Sequence, residues 1–220
     1  MSRRLRIDVF FDFICPWCLI GKRQLEHAQV QFRSRHPDVQ ITTAWHGVQL
    51  LPQIPVQGEP FADFYHKRLG NADAVAMRQN QVQQAAGAVG LAIDLSGIET
   101  MPTTADAHRL FARVCETGNA GQCEMLLERL FAGYFLRREN LGCRETLLAI
   151  ARSCGVDTNE VLDCLKGDAT PFEGLPGASS GVPSFQFDGR LTVIGAQPAQ
   201  ALLGAMNEAL KESDRERQPA

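Results

Sequence analysis
The run Arg6–Ile14, RIDVFFDFI, passes without a linker into Cys15-Pro16-Trp17-Cys18, and Leu19–Arg35 then carries Leu25, Ala28 and Phe32 on one helical face. A β-rich run followed by a 3.6-residue period reads as strand, then helix, with two cysteines three apart at the junction. The first backbone N–H groups of a helix have no intrahelical partner, and the helix dipole favours negative charge there. A thiolate at that point is stabilised, and Cys15 is the cysteine placed to gain. Pro16 suits a first helical turn, where a missing N–H costs nothing. Cys18, three residues on, is close enough to attack a mixed disulfide on Cys15 and release whatever Cys15 had captured, a two-step dithiol–disulfide exchange.

Zinc is the rival use of such a pair. A structural zinc site needs four ligands, usually from a second Cys-x-x-Cys or a spaced histidine pair. The other cysteines, Cys115, Cys123, Cys143, Cys154 and Cys164, are separated by 8, 20, 11 and 10 residues, and no two histidines have ligand spacing. Seven cysteines, an odd number scattered along a long chain, do not form a disulfide framework. Most are expected to be reduced thiols packed as small hydrophobes. Cys143 and Cys154 share a helical face but are three turns apart, about 16 Å, which no disulfide spans. Cys115 and Cys123 straddle a turn at Gly118–Gly121 and can approach one another.

The remaining pattern sets the architecture. Val39–Trp45 alternates apolar and polar residues as a second strand, so the first 50 or so residues spell strand, helix, strand, half of an open α/β sheet. From about Phe61 to Lys166 only helical patterns appear: about 72–89; 103–116, with Thr103 and Asp106 as a capping-box pair; about 123–138; 144–154; and 157–167, with Asp157 and Glu160 as a second pair. β pattern returns at Ser184–Phe187 and Leu191–Ile194, joined by the hairpin signal Asp188-Gly189, and Pro198 opens a helix over 199–211. The expected division is 1–52 with 177–214 as one discontinuous domain, 53–176 as an inserted helical domain, and 215–220 as a flexible tail.

Composition narrows the function classes. The 220 residues carry 22 Lys+Arg against 25 Asp+Glu, a formal charge of -3, which argues against nucleic acid as a partner, because phosphate binding needs a basic face. The longest apolar run, Ala85–Ile93, is short of a membrane span and is interrupted by two glycines. Asp8 and Asp12 fall where a signal peptide must be uncharged, so a cytoplasmic, unprocessed chain is expected.

FFDFICPWCLIG at 10–21 resembles the active-site segment of DsbA-type thioredoxin-fold proteins, specifically the FrnE-like branch; ADAHRLF at 105–111 and GVPSF at 181–185 with GAQP at 195–198 agree in kind and order. The resemblance implies an α/β thioredoxin-like fold with a large all-helical insertion. It implies a thiol–disulfide oxidoreductase with no cofactor and no metal, exchanging disulfides with protein, peptide or small-thiol substrates, glutathione among them, with isomerase activity also open to it. Cys15 matches the nucleophile and Cys18 the resolving thiol. Pro183 matches the cis-proline that leaves the Val182 backbone free to pair with an extended substrate. Trp17 and Pro16 lie beside the cysteines on the expected substrate rim. Asp12 matches the acid three residues before the first cysteine, a candidate proton relay for Cys18, and His108 is a candidate lining residue. The chain departs from the pattern in three places: Val9 stands where thioredoxin-type proteins often bury an acid, Thr103 where the family tends to have Asn, and WHGVQLLP at 45–52 lacks an expected aromatic and Asn. These departures bear on specificity. Two other classes compete: a kappa-type glutathione transferase or isomerase, for which the second thiol is dispensable, and a non-catalytic holdase or zinc-binding module.

Overall fold
Alternation along the first strand decides which residues reach the core. In β1 (Arg3–Phe11), Leu5, Ile7 and Val9 are buried on one face, where they join Leu25, Ala28 and Phe32 of α1 (Pro16–Arg35). The structure, a computed structural model, describes residues 3–168, 170–174 and 181–216. By its contacts the chain divides into two compact units: Met1–Phe11, Trp17–Gly47 and Leu175–Ala220 form one, Asp12–Pro16 and Val48–Gly174 the other.

The first unit is a four-stranded mixed sheet in the order β2-β1-β5-β6. β2 (Val39–Gly47) runs parallel to β1, β5 (Ser184–Phe187) antiparallel to it, and β6 (Leu191–Ile194) antiparallel to β5. Register sets Val9 opposite Phe185 and Ile7 opposite Phe187, so both inner faces feed one apolar cluster. α7 (Ala199–Glu216) completes it with Leu202, Leu203, Met206, Ala209 and Leu210. Phe187 pairs with Leu191, and within the three-residue connection Asp188 and Gly189 both have positive φ, 49° and 70°, with Arg190 N donating to Phe187 O at 3.0 Å. Asp188 Oδ1 also accepts from Arg6 N at 2.7 Å, pinning the turn to β1. The open end of α7 is met by Gln24, whose Oε1 accepts from Ala199 N at 2.9 Å.

The second unit is mostly helical: α2 (Phe61–Leu69), α3 (Ala72–Gly87), α4 (Ala105–Thr117), α5 (Ala120–Arg137) and α6 (Arg144–Ser153). It departs from the sequence expectation in three places. A two-residue ladder joins β3 (Glu59–Pro60) to β4 (Thr100–Met101) inside a stretch read as strand-free. α4 starts at Ala105 without a capping box, because the Asp106 carboxylate instead accepts from the backbone N–H groups of Lys166 and Gly167. The helix expected over 157–167 shrinks to a 3₁₀ turn, Thr158–Glu160, capped by Asp157. There the carbonyls of Glu160, Leu162 and Leu165 bond Arg113 and Arg144, so tertiary contacts claim acceptors that a helix would use internally. α7 runs past the expected end at 211. The loop residues 176–180 and the tail residues 217–220 lie outside the described residues.

Candidate active site
β1 ends at Phe11 and α1 begins at Pro16, so residues 12–15 are the hinge between strand and helix. Cys15 N donates to Asp12 O at 3.1 Å, which closes this hinge into a tight turn. Cys15 immediately precedes α1 and Cys18 is its third residue, and neither is in a disulfide. The accessible rim expected for Cys15 is narrow: Cys15 is 7% exposed and Cys18 is 1% exposed. Pro16 is buried and Trp17 half-buried.

Asp12 is fully buried and organises the hinge from within the helical unit. Its Oδ2 accepts from Leu50 N at 2.8 Å, and its Oδ1 lies 3.1 Å from His108 Nε2 on α4. His108 is also fully buried, its ring stacked on Phe172 at 5.1 Å and tilted against Phe13 at 4.9 Å. Burying two ionisable groups is tolerable only where they are paired and hydrogen-bonded, and this pair meets both conditions. Gln49 ties the same region together: its Nε2 donates to Thr103 Oγ1 at 3.3 Å and its Oε1 accepts from Phe172 N at 2.7 Å. Thr103 and Gln49, which lie where the chain departs from the family pattern, are therefore bonded to each other, and Gln49 also holds Phe172, on which His108 stacks. Tyr65 on α2 belongs here as well. Burial raises its hydroxyl above the usual value, and the neighbouring Cys15 adds to the shift. Tyr134 on α5 is pushed well up by burial first, then by Tyr65 and Asp12, so it stays neutral; its hydroxyl donates to Thr100 O at 3.3 Å.

In the sheet unit the Val182-Pro183 bond is cis, and Pro183 is buried. A Cβ on Gly21 would lie 3.1 Å from Pro183 Cγ and 3.0 Å from Phe185 Cζ, so a side chain there would crowd both rings, and glycine lets α1 approach the start of β5 closely. Gly21 is three residues beyond Cys18 and so shares its helical face, which sets Pro183 one turn along from the second cysteine. Pro183 O is occupied by Gly195 N at 2.7 Å, and Val182 is half-buried. Lys22, four residues after Cys18 and 4% exposed, pairs with Glu26. Asp8 is buried on β1 between Arg6 and His46. Burial raises its carboxyl, but hydrogen bonds from Arg6 at 2.7 Å and His46 at 2.7 Å outweigh that and hold it below the usual carboxylate value.

The other cysteines correct one expectation. Cys115 and Cys123 are joined in a disulfide between the end of α4 and the start of α5, with Cα atoms 4.9 Å apart, where reduced thiols were expected. Gly118, whose Cβ would meet Val114 O at 2.6 Å, lets the chain turn tightly enough to bring them together. Cys143 and Cys154 flank the two ends of α6 and are free, as is Cys164. Burial raises the Cys154 and Cys164 thiols, which marks them as inert. Among the described residues no group of three or more His, Cys, Asp or Glu side chains is arranged to hold a metal ion, and no helix is long and apolar enough to cross a membrane.

The family model of the DSBA-like thioredoxin domain matches residues 6–171. The uncharacterized protein YwbO of Bacillus subtilis (strain 168) is 25% identical over 153 residues, which span 70% of this chain and 68% of that protein. A probable DsbA oxidoreductase from Streptomyces coelicolor, solved by crystallography, superposes with a TM-score of 0.79 at 26% identity, over 98% of this chain and 92% of that one. The cytosolic disulfide reductase DsbM from Pseudomonas aeruginosa, solved with GSH, shares the fold at a TM-score of 0.53 and 13% identity, over 96% and 98% of the two chains.

Proposed function
Because the chain belongs to the DSBA-like thioredoxin domain family, we propose that it is a thiol–disulfide oxidoreductase working through Cys15 and Cys18. The observation that carries this is the placement of two cysteines, outside any disulfide, three residues apart at the first turn of α1. Cys15 attacks a substrate disulfide, or is attacked when oxidised, because it stands just before α1 and is the more exposed of the two cysteines. Cys18 then displaces the substrate from the mixed disulfide, and the two electrons end on the substrate or on the enzyme according to direction. The same exchange reshuffles wrongly paired disulfides, which is isomerase activity. Substrates are protein or peptide disulfides and small thiols, with glutathione a natural partner; the GSH held by DsbM is in keeping with this. Trp17 and Pro16 flank the reacting sulfur, and the backbone at Val182, before cis-Pro183, pairs with an extended substrate. Asp12 accepts the proton that Cys18 must lose before it attacks. Residues 53–176 form an inserted helical domain. The expected compartment is the cytoplasm.

Cys18→Ser is the test. With resolution lost and attack retained, the variant accumulates mixed disulfides through Cys15 and loses insulin-reduction turnover. If Cys18→Ser turns over dithiol substrates like the parent, the two-thiol mechanism is wrong and the glutathione-transferase reading takes its place.

A further inference from the structure
We propose that Cys115–Cys123 is a second, reversibly redox-active disulfide, exchanging with small thiols such as glutathione independently of Cys15 and Cys18. Three features separate it from a structural staple. The first is access. Cys115 is exposed and Cys123 half-buried, so an incoming thiolate reaches the Cys115 sulfur first. Disulfides that hold a fold together are characteristically resistant to reduction, whereas exposed ones are labile.

The second feature is polarity. Cys115 lies in the last turn of α4, where unpaired carbonyls disfavour negative charge. Cys123 lies at the end of the first turn of α5, where the dipole favours it. Each cysteine is followed by a glutamate, Glu116 and Glu124, so the neighbouring charge is matched and the helix ends make the difference. A leaving thiol whose thiolate is stabilised leaves faster. Attack at Cys115 therefore forms an RS–Sγ bond there, breaks Sγ–Sγ, and releases Cys123 as the thiolate. A second thiolate attacks the mixed disulfide, giving RSSR and the Cys115 thiolate, and the two cysteine thiolates take up the two protons of the spent thiols. Two electrons pass from two RSH to the protein.

The third feature is that the hairpin does not need the bond. Asn119 and Gln122 form a reciprocal capping box, with Gln122 N donating to Asn119 Oδ1 at 2.9 Å and Asn119 N to Gln122 Oε1 at 3.3 Å. Gly118 N bonds Val114 O at 2.8 Å and closes the end of α4. Val114 on α4, and Leu126, Leu127 and Leu130 on α5, are buried. Both helix ends thus persist on reduction, as a reversible site requires.

The full-length protein is titrated in glutathione buffers and its cysteines mapped by maleimide labelling and mass spectrometry, in the parent and in Cys15→Ser/Cys18→Ser. That variant keeps this outcome separate from the fate of the proposed oxidoreductase activity. Cys115–Cys123 is expected to be more than half reduced at about a 100-fold excess of thiol over glutathione disulfide, more than half oxidised at the inverse ratio, and to keep its helical circular dichroism in both. Early quenching is expected to find the glutathione adduct on Cys115 at least about fivefold over Cys123. A pair that stays oxidised or stays reduced across the range, loss of helicity on reduction, or an adduct mainly on Cys123 overturns the proposal.

Discussion

The Asp12–His108 pair offers the most demanding test of how the Cys15 turn is held. Both side chains have no exposed surface, and they meet at 3.1 Å with 96 residues of sequence between them. Leu50 N, at 2.8 Å, is the other close donor to the carboxylate. Replacing His108 with leucine, a side chain of similar volume, leaves a buried carboxylate without its ionisable partner, which costs about 3–5 kcal/mol. For a chain of this length each kcal/mol lowers the melting temperature by roughly 2–4 °C, so a loss near 4 kcal/mol appears as a drop of roughly 8–16 °C. Asp12→Asn removes the charge but keeps an acceptor for Leu50 N, and the expected loss is smaller. In the double variant the penalties do not add, because both single variants remove the same 3.1 Å contact, and a coupling of about 2 kcal/mol is expected. Calorimetry of the four proteins measures this. Single-variant losses that add to within about 0.5 kcal/mol in the double variant would refute the pairing as an energetic unit. A structural effect alone leaves the chemistry of the site untouched, so the rate of iodoacetamide modification at Cys15 is followed in parallel. Since Asp12 O accepts from Cys15 N, a displaced turn also changes that rate.

Further outcomes are expected elsewhere. Cys115→Ser/Cys123→Ser opens a loop of 8 residues' separation, whose closure is worth about 2.5 kcal/mol, so its melting temperature falls by roughly 5–10 °C with the helix content retained. Asp8 has a folded-state value held below that of the unfolded chain, so its stabilisation is fully present above about pH 4 and is lost as pH falls through the folded value. Asp8→Asn should therefore lower stability at pH 7 and flatten the acid limb of the melting-temperature profile; a variant with an unchanged acid limb removes that account. Gly21→Val puts branched bulk where a single Cβ already meets Phe185 at 3.0 Å and Pro183 at 3.1 Å. Overpacking there costs about 1–3 kcal/mol, read by urea denaturation, and a variant as stable as the parent means that α1 and β5 can separate freely.

What the sequence discloses and what it hides follow the range of the interactions involved. Strand, turn and helix around Cys15 are written in local pattern: β-branched and aromatic residues before the motif, a proline suited to a first turn, then a 3.6-residue period. The β5–β6 hairpin is equally local, because Asp-Gly is the dipeptide that accepts two positive φ values. By contrast His108 sits on a helix whose pattern says only that its face is buried. Its partner lies 96 residues away in the sequence, so local pattern does not report the pair. Gln49 bonds a backbone N–H 123 residues away, and no periodicity reports that. The residues over 157–167 carry a respectable helical pattern with a capping residue, yet Arg113 and Arg144 take the carbonyls. Propensity is a weak prior there, and long-range guanidinium bonds override it. The Cys115–Cys123 spacing permits a disulfide across the turn, but spacing alone does not distinguish a bonded pair from two thiols.

The buried acid shows why one family position can be vacated and its role proposed for another. Val9 is 1% exposed and sits opposite Phe185 within the cluster of Leu5, Ile7 and Phe187. A carboxylate at that position would enter an apolar environment, and the cost of an unpaired charge there is several kcal/mol. Valine is thus the residue that the sheet core of this chain accommodates. Position 12 lies beyond the end of β1, where the backbone has left the sheet and main-chain donors are free to turn inward; Leu50 N and the imidazole of His108 are the groups that use this freedom. Both partners belong to the helical unit, so the environment of the acid is set by that unit and not by the strands of the sheet. Asp12 is also covalently three residues from Cys15 and accepts its N–H, so any change in the carboxylate's partners is transmitted through a single turn of backbone. His108 and Leu50 therefore set the environment of the Asp12 carboxylate, and Gln49 ties Thr103 to Phe172 beside them.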